Sequence, residues 1–256
     1  MTVVDTTPAV PLSAPVNLRD LGGIRIDGGV LRRGVAIRTD DLAYATEEVA
    51  DRLVADGLAA VIDLRSPLEA SVTGRGPLGA LPVAYHHLPL IADVGTSMKE
   101  DRPALGHEAM GAMYVRMAEG AAAPLVTALA VIAHAPGAVA FHCAAGRDRT
   151  GVLAAMLLLA LGADDEAIVA DYARTGENMP AIMRRNEPVM GAMWRALGID
   201  VDAHDGSALL GDGMDASMRI LLGMLRERHG DPLAPLRAAG LSDDLVARLR
   251  SRALAA

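Results

Sequence analysis

Residues Ala138-Val139-Ala140-Phe141-His142 run directly into Cys143-Ala144-Ala145-Gly146-Arg147-Asp148-Arg149-Thr150-Gly151. The first five form a short apolar run of strand length, and the residues from Thr150 onward have helical character. A strand that turns through a short loop into a helix is the unit of a parallel sheet, so this stretch places the chain among α/β proteins. The loop itself can curl until its N–H groups converge on one point at the helix N-terminus. Orphan donors and the helix dipole both favour an anion there. Gly146 gives the backbone access to conformations closed to residues with a Cβ.

The same field bears on the thiol. Helix N-termini and neighbouring arginines favour the thiolate, which is the nucleophilic form of cysteine. Five residues separate Cys143 from Arg149, whose planar fork suits two oxygens of a phosphate. Thr150 is placed to donate its hydroxyl to the sulfur and help it leave. His142 is expected to brace the loop through its backbone, with Gly151 behind it, while Ala144, Ala145, Gly146 and Arg147 line the anion site. An inert core cysteine is the alternative, but it does not call for a glycine, an arginine at the sixth position and a Thr-Gly helix start.

Outward from this centre, strands and helices interleave. Gly pairs in residues 17–41 separate short β-branched runs, with a hairpin expected at Asp27-Gly28-Gly29. Thr46 to Asp56 reads as a capped helix, Ala59 to Leu64 as a buried strand and Pro82 to Leu90 as another. Ile91 to Gly106 is polar and reads as a loop. Helices are expected over 107–119 and 123–134, and after the loop over 164–174, 179–197, 214–228 and 241–254. The architecture this predicts is α/β, a mostly parallel central sheet flanked by helices with a C-terminal helical extension.

Composition narrows the classes. The chain has 256 residues, 52% hydrophobic but only 2% aromatic, so the core is filled by Ala, Leu, Val and Met. A net charge of -8 disfavours nucleic acid and anionic membrane surfaces as partners. The single cysteine excludes an intrachain disulfide framework and a cysteine-cluster metal site. Residues 1–16 carry three prolines and no basic segment, so they read as a flexible arm and not as a secretory signal. The apolar run Gly151 to Gly162 is too short to span a bilayer. A soluble protein is expected, cytoplasmic or exported without a cleaved signal.

The loop HCAAGRDRTG resembles the HCxxGxxR[S/T] loop of the protein tyrosine phosphatase superfamily. It is most similar to a bacterial tyrosine-phosphatase-like family whose loop reads HCxxGKDRTG. Asn17-Leu18-Arg19-Asp20-Leu21-Gly22-Gly23 is similar to that family's NxRDLGG, and Val61-Ile62-Asp63-Leu64-Arg65-Ser66 resembles its strand-end DLRS. The resemblance covers residues 16 to 254. It implies phosphatase activity through a Cys143 phosphoenzyme, with no metal and no organic cofactor. Implied substrates are phosphotyrosine, phosphoserine or phosphothreonine in proteins, and phosphoinositides, with inorganic phosphate as product. It also implies one phosphatase domain over 17–256, with a helical lid over 177–230.

One departure stands out: the family's loop Lys is Arg147 here. Only Lys99 represents lysine among the 24 basic residues, so compositional drift accounts for the change as well as substrate preference does. Asp148 matches the family's acid within the loop. Asp93 and Asp101, on the upstream polar loop, are the alternatives for the general acid. Asp63 and Arg65 are expected at the site, binding substrate or orienting the loop. His86 and His87 are adjacent on a strand, face opposite sides and do not share a metal. A rhodanese-type sulfur-transfer enzyme and a non-catalytic phosphate-binding module are the competing readings, and Arg149-Thr150 at phosphatase spacing speaks against both.

Overall fold

The computed structural model describes residues 11–91, 106–191 and 213–254. In chain order the strands are β1 (Arg19–Asp20), β2 (Arg25–Ile26), β3 (Gly29–Val30), β4 (Ala36–Thr39), β5 (Leu58–Asp63), β6 (Ala84–His87) and β7 (Ala138–His142). The helices are α1 (Glu47–Ala55), α2 (Pro67–Thr73), α3 (His107–Gly120), α4 (Ala122–His134), α5 (Asp148–Leu161) and α6 (Asp165–Asn186). They continue with α7 (Met214–His229), α8 (Ala234–Ala238) and α9 (Asp243–Leu254).

Five strands form one mixed sheet in the order β1-β4-β7-β5-β6. β4, β7, β5 and β6 run parallel, and β1 is antiparallel to β4. β7 lies in the middle and is buried along its whole length. Its alternating residues serve two cores, as the strand period of two requires. Val139 and Phe141 face the large cluster built with α4 to α7, whereas Ala140 faces the smaller cluster of Leu53, Val61 and Leu78. The register pairs His142 with Thr39 on one side and with Asp63 on the other. Three chain segments therefore leave the sheet together at its carboxyl edge, where open α/β sheets place their ligands.

The hairpin forms as expected, with Arg25 opposite Val30 and Ile26 opposite Gly29. Several expectations need correction. The helix expected over 164–174 and the first part of the one expected over 179–197 are joined in the single helix α6, followed by a π-helical turn at Glu187–Gly191. Residues 192–197 lie outside the described ones. α6 continues through Pro180. A proline there removes an internal hydrogen bond, but Thr175, Met179 and Ile182 are buried along one face and bridge the break. The arm is tied down from Ser13 onward, where Ser13 N donates to Tyr44 O at 2.8 Å and Val16 N to Asp40 at 3.1 Å. Residues up to Asn186 belong to α6, and α7 packs on α3, where Gly111 lies against Ser217 and Ile220. Residues 192–212 of the expected lid lie outside the described ones. No single helix is long and apolar enough to cross a membrane among the described residues.

Candidate active site

Cys143 follows the last residue of β7 and is 1% exposed. Thr150 Oγ1, in the first turn of α5, donates to its Sγ at 3.2 Å. Between the two, the loop carbonyls are turned outward onto fixed partners. His142 Nδ1 donates to Cys143 O at 3.2 Å. Ala144 O accepts from Asp41 N and from Asn186 Nδ2, both at 3.2 Å. Gly146 O accepts from Asn17 Nδ2 at 3.1 Å and Arg38 Nη2 at 2.9 Å. Carbonyls held outward leave the amides directed inward. Among the described residues no backbone N–H from Ala144 to Arg149 has an acceptor. Buried amides without acceptors are rare in folded proteins, so this ring is built for an anion.

Gly146 makes the curl possible. Its φ is +67°, and a Cβ there would sit 2.4 Å from Thr39 O and 2.6 Å from Asp40 N. Side-chain-bearing residues rarely adopt that angle, and the clash would be with backbone. Gly151 fits equally tightly, since a Cβ would lie 2.9 Å from the ring of Tyr172.

Arg149 is held by a residue absent from those the sequence singled out. Its Nη1 and Nη2 donate to the two carboxylate oxygens of Glu69 at 2.5 and 2.8 Å. Glu69 is 3% exposed and is also the third residue of the capping box that starts α2. Ser66 N donates to Glu69 Oε2 at 2.8 Å, and Glu69 N donates to Ser66 Oγ at 3.3 Å. The signal was readable as Ser66-Pro67-Leu68-Glu69, a Ser-x-x-Glu helix start with proline at its first position. Burial alone would lower the Arg149 pKa, but the hydrogen bonds it donates to Glu69 and the charge of Cys143 raise it. Burial would likewise raise Glu69, and Arg149 outweighs it and lowers it. Glu69 takes one N–H from each terminal nitrogen. Of the five guanidinium donors, Nε–H and one on each terminal nitrogen remain for a ligand.

Asp148 opens α5, with its side chain 30% exposed. Tyr114 Oη, from α3, donates to Asp148 Oδ1 in a short hydrogen bond. Tyr172 Oη, from α6, lies 2.7 Å from Tyr114 Oη, and Arg147 Nε donates to Tyr172 Oη at 3.4 Å. Arg147 Nε is also 3.5 Å from Asp148 Oδ1. Arg147 is 5% exposed, and its Nη2 is buried with no hydrogen-bond partner among the described residues. An unpaired buried guanidinium nitrogen beside an anion loop is suited to a second anionic contact.

Asp63 and Arg65 lie beneath the loop, 0% and 1% exposed. Arg65 donates to Asp63 from Nε and Nη2, to Asp41 from Nη1 at 2.8 Å and to Gly74 O at 2.8 Å. Tyr85 Oη donates to Asp63 Oδ2 at 2.7 Å. Burial works against the Asp63 carboxylate, but His142 and Arg65 outweigh it and hold its pKa well below the usual range. With these polar atoms used internally, the two residues brace Asp41 and the strand end. A second buried cluster ties the N-terminal motif to the loop: Asp171 accepts from Arg19 at 2.8 Å and from Arg38 at 2.5 Å. Asp93 and Asp101 lie outside the described residues. Cys143, Asp148, Arg149 and Thr150 are brought together, with Ala144 to Arg147 forming the ring.

Residues 10–255 match the model of a family described as the tyrosine phosphatase family. A Cupriavidus necator protein, whose name assigns it provisionally to the tyrosine-protein phosphatases, is 32% identical over 217 residues. That alignment covers 80% of this chain and 76% of the relative. The triple specificity protein phosphatase PtpB of Mycobacterium tuberculosis is 35% identical over 114 residues, 43% of this chain and 41% of PtpB. Among solved structures, TpbA of P. aeruginosa in complex with phosphotyrosine is similar at 17% identity and a TM-score of 0.42. That superposition covers 93% of this chain and 99% of TpbA.

Proposed function

The chain belongs to the tyrosine phosphatase family and is a hydrolase of phosphotyrosine, and from that premise we propose how its residues divide the reaction. The substrate phosphate sits in the ring of amides from Ala144 to Arg149, with the free donors of Arg149 on two of its oxygens. Cys143 Sγ attacks phosphorus in line as the bond to the leaving oxygen breaks, and Asp148 gives that oxygen its proton. The products of this step are a cysteinyl phosphate and the free alcohol or phenol. Water then attacks phosphorus, Asp148 takes a proton from it, and inorganic phosphate and the Cys143 thiolate are regenerated. Thr150 stabilises the departing sulfur through its hydrogen bond. Preorganised donors of this kind supply most of the catalysis in phosphoryl transfer.

The observation that carries this reading is the Thr150–Cys143 hydrogen bond at 3.2 Å, closed beneath a ring of amides with no acceptor among the described residues. We extend the substrate range to phosphoserine, phosphothreonine and phosphoinositides. The support is the Nη2 of Arg147, which has no partner among the described residues and can take a further anionic group, together with the triple specificity in the name of the partial relative. Phosphate release from a panel of phosphotyrosine, phosphoserine and phosphothreonine peptides and of phosphoinositide micelles tests this. Turnover of phosphotyrosine alone would reject the wider range and keep the core reading. Turnover of none would reject both.

A further inference from the structure

Oδ1 of Asp148 is taken. Tyr114 has a single hydroxyl proton, and it is spent on Oδ1, so at the 2.7 Å contact between the tyrosines Tyr172 must be the donor. Arg147 Nε in turn donates to Tyr172. The chain of donors therefore runs one way, from Arg147 through Tyr172 and Tyr114 into Asp148. Among the described residues Oδ2 accepts no hydrogen bond, and the carboxyl is 30% exposed. Both tyrosines are buried, at 0% and 1%, and meet edge to face with ring centroids 6.0 Å apart.

We infer that Tyr114 and Tyr172 are positioning residues of the acid step, holding Asp148 so that its proton resides on the Oδ2 that faces the pocket. The inference rests on Asp148 being the general acid. A donor fixed on Oδ1 excludes the proton from that oxygen and leaves Oδ2 to carry it. When that proton passes to the leaving oxygen, the new carboxylate finds a hydrogen bond already aimed at it. The dyad thus orients the acid and stabilises its conjugate base, at no reorganisation cost in the step. Burial, first, and then the charge of Asp148 raise the Tyr114 pKa well above that of a free phenol, which keeps it a donor. Among the described residues the charged or titratable groups facing Asp148 are Arg147 and Arg149 from its own loop, Tyr114 from α3 and, through Tyr114, Tyr172 from α6.

The test is the pH profile of kcat/KM for Tyr114→Phe, Tyr172→Phe and Asp148→Asn, with phenyl phosphate and p-nitrophenyl phosphate. A hydrogen-bond donor on a carboxylate favours its charged form. Removing it favours the protonated form, so the basic limb of Tyr114→Phe should move up by about one pH unit. Phenyl phosphate, whose leaving group needs the proton, should slow by ~10-fold, and p-nitrophenyl phosphate by only ~2-fold. Tyr172→Phe should shift the limb the same way by less. A basic limb unmoved or lowered, or equal losses on both substrates, would mean that the tyrosines only fill the core. Asp148→Asn separates the two failures. If it slows phenyl phosphate selectively while Tyr114→Phe keeps the wild-type profile, the inference fails and the acid assignment stands. If it shows no such selectivity, the acid assignment fails and takes the inference with it. Vanadate affinity reports whether each variant keeps its loop, and should Tyr114→Phe lose it, Tyr172→Phe decides.

Discussion

Glu69 and Arg149 are 80 residues apart in sequence, yet two parallel hydrogen bonds of 2.5 and 2.8 Å join them at the mouth of the loop. The same carboxylate closes the capping box of α2, so one side chain couples a helix start to the phosphate clamp. Glu69→Gln keeps a capping-box residue but removes the charge that balances a buried guanidinium. We expect kcat/KM to fall ~10-fold or more, by analogy with losing part of a transition-state clamp. Glu69→Ala should in addition destabilise the fold by about 3 kcal/mol, because it strands a buried charge. Ser66→Ala should cost about 1 kcal/mol through the cap alone. Denaturant melts and steady-state kinetics check all three, and unchanged kinetics in Glu69→Gln would remove Glu69 from the site.

Cys143→Ser should keep phosphate-ligand binding and lose turnover, because a serine hydroxyl does not ionise at neutral pH. Residual turnover within ~10-fold of wild type would overturn the nucleophile assignment, since an activated nucleophile is worth far more. Vanadate, a mimic of pentacoordinate phosphorus, should inhibit the wild type. Insensitivity at millimolar concentration would count against the phosphoenzyme.

What the sequence disclosed and what it hid divide along physical lines. The strand–loop–helix around Cys143 was legible because chemistry and periodicity coincide in one contiguous stretch. The partners of that loop were not, because they are brought in by tertiary packing: Glu69 from α2, Tyr114 from α3, Tyr172 and Asn186 from α6. β4 was hidden as well. Only four residues long, it carries Arg38 and Thr39 where a strand pattern would show apolar residues; Arg38 is buried by pairing with Asp171 and the loop, and Thr39 donates to Asp40 Oδ1. The residues Asp63 and Arg65 were found, but a buried ion pair looks the same in sequence as a binding pair. Only their depth and saturation tell the two apart.

The two loop arginines should separate cleanly. Arg149→Lys keeps a charge but loses the fork that spans both Glu69 and phosphate, so kcat/KM should drop ~100-fold or more. Arg147→Lys should be much milder on phosphotyrosine peptides and should change the ratio of phosphopeptide to phosphoinositide turnover. Equal losses in the two variants would contradict this division of roles.

Acid should weaken the fold through its buried carboxylates. Asp63, Glu69 and Asp171 all have pKa values lowered by arginine partners that outweigh burial, with His142 also acting on Asp63. A lowered native pKa adds stability that is present above the unfolded value, near 4, and is lost as pH falls through the native value. Unfolding free energy from urea melts should therefore be flat from pH ~7 to ~5 and decline steadily below ~4. Because the pairs are buried, ~0.5 M salt should do little to the pH 7 value. A strong loss in salt at neutral pH would place the stabilising charges on the surface instead.

Gly146→Ala tests the curl on which the whole site depends. The added methyl meets two obstacles at once: a φ of +67° that disfavours it, and the backbone of Thr39 and Asp40 at 2.4 and 2.6 Å. Left-handed backbone at a residue with a Cβ costs about 1–3 kcal/mol, and forcing an extra carbon into packed surroundings costs about 1–3 kcal/mol more. Neither neighbour is a flexible side-chain end that can swing aside, because both are main chain at the end of the central sheet. The loop must therefore open, which would turn the amides away from their common focus. Gly120→Ala, at the end of α3, is the control: a Cβ there meets nothing within 4 Å and the backbone is not left-handed. That change should leave turnover intact and add up to about 1 kcal/mol, as alanine does in helices. Gly146→Ala should lower stability by about 2–6 kcal/mol, and vanadate binding should be lost under conditions where the variant remains folded. If it binds vanadate with wild-type affinity, the amide ring does not depend on the left-handed turn, and the electrostatic focus must come from Arg149 and the helix N-terminus alone.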